Sequence, residues 1–169
     1  MPQTKTRTET EALLAFLNNQ REHVLGILDG VDEETLRRPI LPSGWSCLGL
    51  VQHLALDVER FWFGAVIAGD QAVIKSLADV GNAWTVDPAV SAGSILNQYR
   101  RESDRANVIL QSASLEAAPR WWPEDAFGDW RLHTIREVAL HVVTESAAHT
   151  GHLDAARELI DGKLWLVLT

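Results

Sequence analysis

The sequence predicts an all-α protein, and more specifically an antiparallel four-helix bundle. Four long segments repeat apolar residues at helical spacing, and no segment alternates apolar and polar residues as a half-buried strand does. Residues typical of helix ends flank these segments. We expect helices near residues 10–29, 46–69, 92–112 and 134–161. Helices of these lengths around one core form a bundle, here a single domain over residues 1–169.

The first two helices are predicted from their apolar faces and their ends. Helix 10–29 carries an apolar set and is followed by Gly30, a residue suited to ending a helix. Ser46 is a natural N-cap for the second helix. On that helix one face presents Leu50, Leu54, Asp57 and Phe61, while Gln52 and Glu59 are expected on the opposite, solvated side.

The last two helices follow Trp- and Pro-rich connections. Helix 92–112 turns Ile95, Tyr99 and Leu110 inward in our reading. Thr134 and Glu137 have the spacing of a capping box, so the fourth helix should begin there and end near Gly162.

Composition excludes several functional classes. The net charge of −8 disfavours nucleic-acid binding and docking to an anionic membrane, since both require a basic surface. No run approaches the roughly 18 apolar residues of a membrane-spanning helix, and Cys47 is the only cysteine. We therefore expect a cytoplasmic protein. Seven tryptophans and only 22% charged residues leave apolar area that favours a homodimer.

A carboxylate interrupts the apolar face of the predicted fourth helix. Glu145 lies on the stripe formed by Ile135, Val138, Val142, His149, Leu153, Ala156 and Ile160. Leaving a carboxylate unpaired there would cost several kcal/mol in lost hydration. His149 lies one turn further along, and this pair predicts a bound metal ion.

Spacing alone leaves the ligand set open. His141, Glu145, His149 and His152 project within about 80° of one another. His141 and His149 are separated by about 12 Å along the axis, so they cannot share one ion. The pairs 141/145, 145/149 and 149/152 all remain possible, and His53 is the best third ligand from another helix. A hydrogen-bonded network without metal is the alternative.

Neighbouring residues have assignable roles around such a site. His and carboxylate ligands favour a divalent ion such as zinc, with nickel, cobalt and iron as alternatives. Asp57 would orient a ligand, touch substrate or pair with an arginine of the bundle. His141 would support the ligands or belong to the core, and His152 would support the ligands, contact substrate or serve only the structure. Cys47, near a helix N-terminus, is expected to be a core residue rather than a nucleophile.

Several motifs together resemble the DinB-like superfamily, and within it the mycothiol S-transferase branch. They are Gly44-Trp45-Ser46 leading to His53-Leu54, Glu145-(x3)-His149-Thr150-Gly151-His152-Leu153-Asp154, and Arg157-Glu158-(x2)-Asp161-Gly162. The sequence is also similar to the metal-binding domain of mycothiol-dependent maleylpyruvate isomerase. The resemblance covers nearly the whole chain.

The resemblance implies a ligand set and a reaction. It places the metal on His53, Glu145 and His149, which settles what spacing left open. It further implies a metal-dependent thiol S-transferase that uses mycothiol as cosubstrate to conjugate or isomerise a small electrophile, as in detoxification. The alternatives are a metal-dependent hydrolase and a noncatalytic metal-binding bundle protein.

Overall fold

The computed structural model describes residues 7–79 and 81–165, and it confirms the all-α prediction. The long helices are α1 (Glu9–Ile27), α5 (Ala92–Ser112) and α6 (Ile135–Asp161). The predicted second helix comprises α3 (Cys47–His53), which continues directly as the π-helix π1 (Leu54–Ile67). Two short helices, α2 (Glu33–Arg37) and α4 (Gln71–Ser76), lie in connections. No β-strand forms within the described ranges, where Pro39 and Ser46 make an isolated bridge.

Local sequence signals determine where the helices begin and end. Thr8 and Glu11 form a capping box at α1, and Thr134 and Glu137 form the predicted one at α6. Gly162 ends α6 with a φ of 75°, a left-handed conformation that favours glycine. The predicted bounds of the four long helical segments agree with the observed bounds to within two residues.

The long helices are in mutual contact around one core, and their directions follow from paired side chains. Glu9 accepts hydrogen bonds from Arg136, and His23 pairs with Asp154, so α1 and α6 run parallel. By contrast, α6 runs antiparallel to the α3–π1 helix. His53 contacts His149, whereas Trp62, later in α3–π1, contacts His141, which is earlier in α6. The end of π1, at Ile67, lies beside the end of α5, at Ile109 and Ser112, so α5 runs parallel to α3–π1. The long connection over 68–91 allows this direction, as crossover connections do in other bundles.

The π-helix corrects one sequence expectation, the solvated position of Glu59. Hydrogen bonds from residue i to i+5, such as Ala68 N–H to the Phe63 carbonyl, rotate successive side chains by less than an α-helix does. Residues five apart then lie on the same side of the helix, so Glu59 shares the side of Leu54, and both are buried. Arg21 of α1 donates to both carboxylate oxygens of Glu59, at 2.7 and 2.6 Å, which compensates the buried charge.

The core lies between the long helices and leaves the predicted metal-ligand residues at its edge. Fully buried positions come from every long helix, among them Leu17, Leu54, Tyr99 and Val142. Within the described part of the chain, no helix is both long and apolar enough to cross a membrane.

Candidate metal centre

His53, Glu145 and His149 converge on one point between two helices. One donor atom from each lies within 4.8 Å of the others. Glu145 and His149 occupy successive turns of α6, and His53 is the last residue of α3, where the chain passes into π1. All three side chains are partly buried. The structure thus brings together the three residues that the resemblance implies, from segments about ninety positions apart in the sequence.

His53 is oriented from two sides. Its Nδ1 lies 2.9 Å from Oδ2 of Asp57, one turn later in the helix. A carboxylate can only accept a hydrogen bond, so Nδ1 is the donor in this contact and Nε2 is the ring nitrogen left to face Glu145. That Nε2 lies 3.9 Å from Oε1 of Glu145. Trp84 stacks on the imidazole with ring centres 4.2 Å apart, which fixes the plane of the ring.

Glu145 has one oxygen engaged and one directed toward His53. His141 Nε2 lies 3.1 Å from Oε2 of Glu145, which leaves Oε1 facing His53. Burial by itself would raise the pKa of Glu145. The hydrogen bond from His141 and the charges of His141, His53 and His149 outweigh burial and hold the pKa below its usual value. Glu145 is therefore a carboxylate at neutral pH.

His149 is poised as a neutral ligand. Burial lowers its pKa to about 4, and the neighbouring His53 adds to this effect, while Glu145 opposes it. A neutral imidazole offers a lone pair to a metal ion. Its Nδ1 lies 3.4 Å from Nδ1 of the exposed His152, a long contact that orients the ring only weakly.

The donor set fits a divalent ion. Zinc binds imidazole nitrogen and carboxylate oxygen at about 2.0–2.2 Å, so ligand atoms around it lie no more than about 4.4 Å apart. The observed spread of up to 4.8 Å requires only a small rotation of partly buried side chains. Two histidines and one carboxylate are also the donor set of zinc sites that keep a coordination position for substrate.

Cys47 is not a member of this cluster. Its side chain is only 1% exposed, and burial raises the pKa of its thiol to about 11. The helix N-terminus therefore does not activate this sulfur as a thiolate at neutral pH. The structure agrees with the expectation that Cys47 is a core residue.

The aromatic residues around the cluster were not assigned from sequence. Trp84 lies in the irregular connection before α5, and its ring is within 5.8 Å of His149 as well as stacked on His53. Phe61 and Trp62 of π1, with Phe127 and Trp130 of the connection before α6, line a cavity beside His53 and Glu145. The abundance of tryptophan in these connections was the available signal, but periodicity cannot place residues of irregular segments.

Comparison with known families assigns the chain to one of them. A family model described as Mycothiol-S-transferase matches residues 12–162. The chain belongs to the mycothiol S-transferase family. No curated protein matches the chain in sequence. As a mycothiol S-transferase family member it is expected to act on a small thiol, and the resemblance drawn from its motifs is confirmed.

Asp154 and Arg157, in the C-terminal part of the motif on α6, make contacts with α1. Asp154 accepts a hydrogen bond from His23 of α1 at 2.7 Å. Arg157 is buried and donates to the backbone carbonyls of Ile27 and Asp29, just where α1 ends. These contacts fix the second half of α6 against α1.

Proposed function

We propose that this protein conjugates or isomerises a small electrophile with the thiol of mycothiol, at a divalent metal ion held by His53, Glu145 and His149. The observation that carries the proposal is the convergence of these three donors in a chain whose family is defined by thiol transfer. Zinc suits the mixed nitrogen and oxygen donors best, and nickel, cobalt and iron are the alternatives.

The surrounding residues would prepare the ligands before any ion binds. Asp57 holds the proton of His53 on Nδ1, so that Nε2 faces Glu145. His141 donates to Oε2 of Glu145, so that Oε1 is free to face His53. Partners of this kind increase metal affinity by fixing tautomer and orientation. Asp57, His141 and, more weakly, His152 are therefore positioning residues in this proposal.

When bound, the metal would supply the positive charge that keeps the cosubstrate's sulfur as a thiolate at neutral pH. The thiol proton would leave to solvent, and a sulfur lone pair would form the new C–S bond. The bond from that carbon to its leaving group would break, with the electron pair departing on the leaving group. The chain contributes no nucleophile, since Cys47 is buried and its thiol pKa is high.

A conjugation assay distinguishes this function from its alternatives. The full chain, loaded with zinc, is incubated with a chromogenic electrophile and either mycothiol, glutathione or no thiol, each with and without a chelator. We expect mycothiol to outperform glutathione and the chelator to abolish turnover. Equal turnover without thiol would indicate a hydrolase instead. Bound metal with no turnover on any electrophile would indicate a noncatalytic metal-binding protein.

A further inference from the structure

Trp84 packs on both histidines of the candidate metal centre. Its ring stacks on His53 of α3, with ring centres 4.2 Å apart and planes inclined by 20°. The same ring lies edge-on to His149 of α6, with ring centres 5.8 Å apart. Because these histidines belong to different helices, a side chain in contact with both restricts how their nitrogen atoms face one another. Trp84 itself lies in the connection between α4 and α5, so its place depends on what holds that connection.

Gln52, the residue before His53, binds the backbone on both sides of Trp84. Its side-chain nitrogen donates to the carbonyl oxygen of Ala83 at 2.7 Å and to that of Thr85 at 3.2 Å. A glutamine amide carries two N–H groups, so one side chain can serve both carbonyls. The residues that flank the tryptophan are therefore tied to α3.

Gly49 allows the same backbone to lie against α3. It precedes Gln52 by three positions, on the same side of the helix. A Cβ atom at Gly49 would lie 2.4 Å from the carbonyl oxygen of Trp84, much closer than van der Waals contact allows. Glycine is less favourable than alanine within a helix, and this close approach explains its presence. An alanine here would push the connection, and the tryptophan with it, away from the helix.

We propose that Trp84 is a positioning residue of the metal centre, and that Gly49 and Gln52 hold its ring against the two histidines. This role rests on the proposed function, since it concerns the ion of that centre. Asp57 fixes which nitrogen of His53 faces the centre, through the hydrogen bond to Nδ1. Stacking on Trp84 fixes a different degree of freedom, the tilt of the imidazole plane. The helix that supplies His53 thus also holds the ring that orients it.

Removing the indole ring should weaken zinc binding by the full chain. For Trp84→Ala we expect a loss of about threefold to tenfold in competition with a chromophoric chelator, the range of one aromatic contact. Trp84→Phe keeps a ring that can stack on His53 and should recover most of the affinity. In the Co²⁺-loaded chain, the visible absorption bands report the ligand geometry and should change in Trp84→Ala. Trp165→Ala is the matched control, because it removes a similar stacking, at 4.8 Å, on His23, a histidine outside the ligand set.

The metal-free chain tests whether Gly49 and Gln52 hold the ring. The ring current of a stacked indole shifts the imidazole protons of His53 upfield in NMR spectra. Gly49→Ala and Gln52→Met should each reduce this shift and weaken zinc binding. If Gly49→Ala fails to fold, Gln52→Met decides the question.

Each of these two variants has a matched control. Gly93→Ala is the control for Gly49→Ala, since Gly93 lies within α5 and a Cβ atom there meets nothing within 4 Å. Gln71→Met is the control for Gln52→Met, since Gln71 also donates to a backbone carbonyl oxygen. Both controls should keep the His53 shift and the zinc affinity of the parent chain.

The outcomes separate this role from the proposed function. Unchanged zinc affinity in Trp84→Ala, or an equal loss in Trp165→Ala, would overturn the positioning role, and so would a loss of stability alone. Unmoved His53 protons in both Gly49→Ala and Gln52→Met would show that these residues do not hold the ring. If the parent chain binds no zinc, the proposed function fails, whereas His53 shifts that are lost in the variants would still show that the ring orients His53. If zinc binding responds as expected but no thiol conjugation is found, the role of Trp84 stands and the transferase proposal fails.

Discussion

Removing the Asp57 carboxylate should weaken zinc binding without disturbing the fold. Loss of a residue that orients a metal-binding histidine typically costs about 10–100-fold in affinity. The Asp57 side chain is 43% exposed, so water can replace part of its hydrogen bond to His53 Nδ1, which lies 2.9 Å away. For Asp57→Ala we therefore expect the lower end, a loss of about tenfold or about 1.4 kcal/mol. Asp57→Asn keeps an acceptor oxygen and should lose less.

The assay is a competition for Zn²⁺ between the full chain and a chromophoric chelator. Asp154→Ala is the matched control, because it removes a comparable carboxylate–histidine hydrogen bond, that of His23 at 2.7 Å, away from the candidate ligands. Its zinc affinity should equal that of the parent protein. Parent-like affinity in Asp57→Ala, or an equal loss in Asp154→Ala, would refute the proposed orientation of His53.

Further predictions concern the ligands, the thiol, the buried ion pair and the assembly. His149→Ala should lose zinc, as measured by elemental analysis, and unchanged occupancy would refute the ligand set. Cys47→Ser should keep thiol-transfer activity. Burial raises the pKa of Cys47 from 9.0 to about 11, so the folded state holds this proton more tightly than the unfolded state does. The contribution of this group to the free energy of unfolding is fully present below about pH 9 and is lost as the pH rises through about 11. Denaturant titrations should show less of this fall in Cys47→Ser. Arg21→Met should destabilise the fold by about 3–5 kcal/mol by leaving Glu59 buried and unpaired; a loss under about 1 kcal/mol in chemical denaturation would contradict this. Light scattering should show a homodimer, and a monomeric mass at micromolar concentrations would rule it out.

The helical fold was predictable because its signals are local. Apolar spacing and capping residues act within a few positions of each other, as at Thr134 and Glu137, and the predicted helix over 92–112 matches the structure. The side on which Glu59 lies was not predictable. It depends on a π-helix, whose different rotation per residue the assumed 100° periodicity does not describe.

The candidate site was likewise predictable in part from the sequence and in part only from the structure. The sequence by itself determined that Glu145 and His149 share a helix face, because one turn separates them, and the family motif added His53. Only the tertiary structure decided which neighbours orient these residues, namely Asp57 and His141, since both hydrogen bonds depend on side-chain directions that spacing leaves open. The aromatic lining of the cavity beside His53 and Glu145 was likewise decided by packing. Phe127 and Trp130 come from an irregular connection, and their place beside Trp62 follows from long-range contacts that no local period encodes.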